Sequence, residues 1–247
     1  MHIYITGGSG RNGSLSVAAA LERGHTVTAL VRDAASLPAR ANLTVVEGSP
    51  LRQADVERAL TSPARADAVL VTLGLARTSG SPFAPLRPDT TPDFMSRAVR
   101  TLLAAVDAVF LPPGSATAAP ADTAAPASTS APKLILNSTL GAGDSWSALS
   151  WPFRLLFSQT PMRFGVADHN LVDHLVRGSG RRFVLARAGR LTEQKKLSEP
   201  SAPVRVLPDN GKGLGLADAL TRQSLAQWLV LAAEQDAWDG TSPVLIN

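Results

Sequence analysis

Cysteine is absent from this 247-residue chain, which excludes both disulfides and thiolate chemistry. Tyrosine occurs once, as Tyr4, and aromatic residues make up only 5% of the sequence, so any chemistry that needs a phenol has a single candidate. No uninterrupted apolar run approaches the roughly 18 residues that cross a bilayer. The first residues read as a strand and not as a basic leader followed by an apolar core. A soluble, cytoplasmic protein without a membrane partner is the expectation. The excess of positive charge is small, 24 basic against 20 acidic side chains. The arginines are scattered, and Lys195–Lys196 and Arg181–Arg182 are the adjacent basic pairs, so a nucleic-acid partner is not expected. A phosphorylated small ligand accounts for a few of these arginines equally well.

Short apolar runs rich in β-branched residues recur at Ile3–Thr6, Thr26–Val31, Leu43–Glu47, Ala68–Thr72, Lys133–Asn137, Arg182–Ala186 and Val244–Ile246. Helical patterns fall between most of them, at Ser14–Arg23, Asp55–Leu60, Asp93–Val109, Ala167–Arg177 and Asp218–Glu234. That alternation predicts an α/β fold with a doubly wound parallel sheet, covered on both faces, in one main domain across residues 1–247. Two segments break the rhythm. Residues 111–132 are almost entirely small residues and proline, too poor in apolar surface to offset the entropy of ordering, and are expected to be a flexible insertion. Residues 76–92, with four prolines, form a loop after the fourth strand, on the side where ligands bind in open α/β sheets. Residues 190–215, with a short strand near Val204–Leu207, are expected to form a small C-terminal substrate-side lobe.

The stretch YITGGSGRNGSLS, Tyr4 to Ser16, places glycines at 7, 10 and 13 between the first strand and the first helix. Residues without a β-carbon let a pyrophosphate approach the backbone N–H groups at the helix start, where the dipole favours negative charge. Strand, turn, helix and second strand in that order predict a dinucleotide site. About 20 residues beyond such a loop, NAD-binding units place an acid for the ribose hydroxyls, whereas an arginine suits the 2′-phosphate of NADP. Here Arg32 occupies that place, Asp33 follows it, and Arg11 is a second donor within the loop, which favours NADP.

These residues, with ALVRD, LTVVEGSP, DAVLVTLG, LILNSTLGAGDS and DHNLVDHLVRGSGRRFVLARAGRLT further on, resemble the atypical short-chain dehydrogenase/reductases, in particular their NmrA-like and biliverdin/flavin-reductase-like branch. The resemblance spans nearly the whole chain and implies a Rossmann fold and NAD(P) binding. It implies Gly7, Ser9, Gly10, Arg11, Asn12 and Gly13 at the phosphates and Arg32 at the 2′-phosphate. It further implies Thr72, Leu73 and Gly74 along the nicotinamide ribose, with Asn137 and Thr139 below the ring. Relatives usually carry Asp after the glycine of EGSP to contact adenine; this chain has Ser49.

Many members of that family use a Tyr and a Lys four residues apart as the proton relay, and here the one tyrosine lies in the first strand. The remaining candidates for catalysis are Ser138, at the end of the fifth strand, as a donor to a developing oxyanion, and His169, which ordinarily titrates near neutrality. Asp168 or His169 capping their own helix is the structural alternative. Trp146, Trp151, Phe153, Phe157 and Phe164 concentrate aromatic surface in one stretch, as a pocket for a flat hydrophobic substrate or as core. The expectation is an NADPH-dependent oxidoreductase acting on a hydrophobic carbonyl, imine or conjugated-ring molecule. The alternatives are an NmrA-like NADP-sensing regulatory protein and an isomerase or cyclase using the same cleft.

Overall fold

The computed structural model describes residues 1–111, 131–193, 202–208, 210–215 and 217–247. The insertion expected at 111–132 falls almost wholly outside the described residues, as does part of the expected lobe at 190–215. Among the described residues, ten strands and six α-helices follow one another as β1 (His2–Thr6), α1 (Arg11–Glu22), β2 (Thr26–Val31), β3 (Leu43–Glu47), α2 (Gln53–Thr61), β4 (Ala68–Val71), α3 (Phe94–Phe110) and β5 (Lys133–Thr139). The chain continues through α4 (Trp151–Gln159), α5 (Met162–Gly178), β6 (Phe183–Ala188), β7 (Arg190–Thr192), β8 (Arg205–Leu207), β9 (Ala219–Thr221), α6 (Arg222–Glu234) and β10 (Val244–Ile246).

Eight strands form one sheet in the order β3-β2-β1-β4-β5-β6-β10-β8, parallel throughout except for β8, which runs antiparallel to β10 at the edge. The strand order reverses at β1, whose Ile3 pairs with Val27 of β2 on one side and Ala68 of β4 on the other. Dinucleotides bind outside the carboxyl ends of the strands at such a reversal. β7 and β9 pair in a separate two-stranded parallel sheet.

The strands are buried on both faces, which is why they read as continuous apolar runs. One face packs α1 and α6 against Ile3, Ile5, Val27 and Ile135. Small residues on α1, Ala19 and Ala20, belong to that cluster with α6. The other face packs α2, α3 and α5 against Tyr4, Val69, Leu134 and Leu136. Beyond α5, the segment Gly143–Ala148 and α4 lie over β10 and β8 through Leu149, Phe157, Val244 and Ile246.

Several boundaries differ from the sequence expectation, and the last helix starts at Arg222 and not Asp218 because Ala219–Thr221 pair with β7 as β9. β5 and β6 end two residues later than expected, so Ser138 and Arg187 stand inside the sheet. α5 begins at Met162, five residues early, because the helix tolerates Gly165 in its interior at a cost of about 1 kcal/mol. α4 is an additional helix, with Pro152 in its first turn where the missing N–H is not needed.

The early start of α5 changes the role of Asp168. It lies mid-helix and buried, and caps α3 in place of its own helix: Oδ2 accepts from Met95 N at 2.8 Å and Oδ1 from Ser96 N at 3.0 Å. Asp93, at the sequence-local cap position of α3, makes no side-chain cap hydrogen bond. Replacing Asp168 with Ala orphans two buried N–H groups and is expected to lower stability by about 2 kcal/mol in urea denaturation, whereas Asp93→Ala is expected to cost about 0.5 kcal/mol or less.

Candidate functional site

The turn after β1 is set by close approach. Gly7 adopts φ +83°, a β-carbon on it would lie 3.0 Å from Thr72 Oγ1, and its carbonyl accepts from Gly10 N at 2.9 Å. A β-carbon on Gly13 would lie 1.9 Å from the Gly7 carbonyl oxygen, so no other residue fits there without moving the turn. Thr72 fastens the far side, its N–H and its hydroxyl both donating to Thr6 O, at 3.0 and 2.9 Å. α1 starts at Arg11 with Gly10 as N-cap and no side chain bonded to its first turn, which leaves N–H groups free for an anion.

A cavity of about 220 Å³ lies over this turn. Of the residues expected at the cofactor, Gly7, Ser9, Gly10, Arg32, Thr72, Leu73 and Gly74 line it. Arg11, Asn12 and Gly13 form the first turn of α1 beside it. Asn12 Oδ1 accepts from Arg222 Nη1 at 2.5 Å, and Arg222 Nε donates to Glu193 Oε1 at 2.8 Å, so the first residue of α6 bridges the turn to the segment after β7. Asn137 and Thr139 do not line the cavity; they lie on β5, where Asn137 Oδ1 is buried without a hydrogen-bond partner among the described residues. The uncapped N–H groups and a turn closed to any β-carbon fit a bound dinucleotide.

Loop residues 76–92 complete the cavity. Arg77 and Leu86 form a β-bridge, Thr78 N donates to Pro85 O and Arg87 N to Ala76 O, making a hairpin from which Ala76, Arg87, Asp89 and Thr90 face the cleft. Burial, and the Arg11 guanidinium near it, push the Arg77 pKa down. Arg11, Arg32 and Arg77 have no carboxylate partner among the described residues. Asp33 is committed elsewhere, its Oδ1 accepting from Ala35 N at 2.9 Å. The hairpin residues were not legible as site residues; their only signal was the position of a proline-rich loop after β4.

Ser138 and His169 lie on the same side of the sheet, and neither lines the cavity over the turn. Leu134 and Leu136 face α3 and α5, and alternation puts Ser138 on the same side, buried. His169 precedes the sheet-facing Val172 by three residues on α5. Contrary to the expected near-neutral titration, desolvation pushes His169 down to about 4, so it is a neutral imidazole at pH 7. Tyr4 is buried in β1, where desolvation raises its phenol pKa far from any proton-donating role. Beside Ser138 in register, Arg187 is 0% exposed and ion-paired to Asp144 and, at 3.0 Å, to Asp173. It anchors the segment after β5 to α5, a long-range contact that sequence spacing did not reveal.

The five aromatic residues do not form one wall. Trp146 and Phe157 line a second cavity of about 900 Å³ between α4 and α5, which shares no lining residue with the first. Phe153 packs near Phe157 with ring centroids 6.4 Å apart, Phe164 lies under the Arg163 guanidinium, and Trp151 is 76% exposed. Among the described residues there is no helix long and apolar enough to cross a membrane and no cluster of metal-binding side chains.

Sheet order, glycine turn and cleft together define a dinucleotide-binding Rossmann protein. A family described as NAD(P)H-binding matches residues 7–236, and the chain belongs to it. Similar solved structures include ChuY, an anaerobillin reductase from Escherichia coli O157:H7, at 18% identity and TM-score 0.68, covering 100% of this chain and 97% of that one. A short-chain dehydrogenase/reductase from Veillonella parvula in complex with NADP is similar at 16% identity and TM-score 0.68, over 99% and 93% of the two chains. A putative NAD-dependent epimerase/dehydratase from Bacillus halodurans is similar at 16% identity and TM-score 0.67, over 100% and 94%. No curated protein matches the sequence. The resemblance drawn from the sequence is thus borne out in family and fold.

Because the folded chain keeps His169 neutral down to pH about 4 while an unfolded histidine takes up its proton near 6.5, stability falls as pH drops through that window. The slope is about 1.4 kcal/mol per pH unit for one such group, and His2, lowered by burial, adds to it in the same direction. Urea midpoints between pH 4.5 and 7 are expected to depend less on pH in His169→Gln than in the parent chain.

Proposed function

We propose that the protein is an NADPH-dependent reductase of a hydrophobic carbonyl, imine or conjugated-ring molecule. The observation that carries the choice of cofactor is the arrangement at the end of β2: Arg32 faces the cleft without a carboxylate partner, while Asp33 is spent on Ala35 N. A guanidinium fork there suits a 2′-phosphate, and Arg11, in the first turn of α1, lies near Arg77 of the hairpin. The turn N–H groups would hold the pyrophosphate, and Thr72, Leu73 and Gly74 the path toward β5. The reduced nicotinamide supplies a hydride when bound.

The chain's own part is orientation and charge. Ser138 has a hydroxyl on the α5 side of the sheet to donate to a substrate oxygen or nitrogen gaining negative charge. Neutral His169 offers one N–H and one acceptor nitrogen, which suits hydrogen bonding and proton passage from solvent better than service as a standing imidazolium acid. The substrate class is supported by the 900 Å³ cavity lined by Trp146, Phe157 and Val166 and by Gly141, two residues past the end of β5.

Calorimetric titration is expected to find NADPH bound at least tenfold more tightly than NADH, with Arg32→Asp removing most of the difference. Equal affinity for the two in the parent chain would overturn the assignment of cofactor. NADPH consumption with a panel of quinones, flavins and enones tests the activity, and Ser138→Ala is expected to lower kcat about 100-fold while leaving NADPH affinity unchanged. Tight NADPH binding with no turnover across the panel would point instead to a sensing role.

A further inference from the structure

The strand-end position from which relatives address the adenine carries no acid here, and the structure accounts for the side chains that surround it. Ser49 is used within its own turn: its N–H donates to Asp55 Oδ2 at 2.9 Å and its Oγ accepts from Leu51 N at 3.2 Å. Asp55 is buried, packed so tightly under Gly48 that a β-carbon there would lie 2.7 Å from its carboxyl carbon. Hydrogen bonding from Ser49 N–H holds that carboxyl below the usual carboxylate range, with Arg52 and Arg58 acting in the same direction. Neither residue lines the cavity; Pro50 does.

The adenosine end of the cleft is instead faced by the hairpin. With phosphates over the turn and Arg32 at the end of β2, the base must lie on the β2–β3 side of the reversal, against Leu30 and Pro50. Asp89 and Thr90 line that same cavity from across it. The turn that carries them is fixed, Thr90 N donating to Arg87 O at 2.9 Å. Asp89 Oδ1 accepts from Arg87 Nε at 3.2 Å, and Oδ2 has no partner among the described residues. The Asp89 side chain is 52% exposed, so it is free to meet a ligand. Adjacent residues thus present an acceptor-only carboxylate and a hydroxyl donor. Adenine offers the matching pattern, an amino donor beside a ring-nitrogen acceptor, whereas a 6-oxo purine puts an acceptor where adenine has the amino group.

We propose that Asp89, delivered by the hairpin at 76–92, is the residue that reads the base of the bound dinucleotide and selects adenine, in place of the missing strand-end acid. The proposal rests on the cleft being the nucleotide site. It makes the hairpin a specificity element, with Arg87 holding the carboxylate in place from one side.

The test is calorimetric titration of the full chain with NADPH and with its hypoxanthine counterpart, which differs only in carrying a 6-oxo group for the amino group. The parent chain is expected to prefer NADPH by about tenfold or more. Asp89→Asn, whose amide can donate to the oxo group, is expected to bring the ratio close to one. Asp89→Ala is expected to weaken NADPH by a similar factor and to leave the hypoxanthine analogue unchanged or tighter. A merely structural role for Asp89 would weaken both ligands equally and keep the ratio. That result, or a parent chain that binds NADPH but does not discriminate, overturns the proposal alone; a parent chain that binds neither dinucleotide overturns it together with the reading of the cleft.

Discussion

The contact between the Gly13 backbone and the Gly7 carbonyl is the constraint on which the site depends. It brings the first turn of α1 against the end of β1 more closely than any side chain would permit, and so aims the free N–H groups of that turn into the cleft. Thr72 holds the neighbouring strand end to the same turn through two hydrogen bonds to Thr6. Charge then follows geometry. Around the anion-binding turn at the strand reversal stand Arg32, without a carboxylate partner among the described residues, and the apolar walls of Leu30, Pro50 and Leu73.

The sheet was legible because its strands obey local rules. Parallel strands buried on both faces are continuous apolar runs, and each expected run proved to be a strand of the main sheet within two residues of its observed ends. The amphipathic spacing of Val99, Leu102 and Val106 placed α3 on the sheet for the same reason. Where local rules mislead, the structure departs from them. The helix expected from Ala167 runs back through Gly165 to Met162, since tertiary packing of Val172 and Val176 outweighs one poor helix former. The aromatic stretch hid α4, a short helix whose Phe157 serves the small cluster over β10.

The site was legible where it is built from consecutive residues and opaque where it is built from distant ones. The glycine turn and Arg32 are sequence-local, and their positions follow from strand order. The cap that Asp168 places on α3, the burial that silences the charge of His169 and the ion pairs of Arg187 join residues brought together only by folding, so no spacing announces them. The hairpin at 76–92 is intermediate: its location was evident, but which of its polar side chains turn inward depends on a β-bridge between Arg77 and Leu86 that proline content concealed.

Arg222 ties this together across the chain. Its guanidinium reaches Asn12 over a separation of 210 residues, while its other edge holds Glu193. Such a strut exists only with the last helix docked against α1, so the stiffness of the nucleotide loop depends on α6 being in place. It also links the loop to Glu193, the residue that follows β7. Residues from opposite ends of the chain thus brace one loop, as a keystone joins the two sides of an arch.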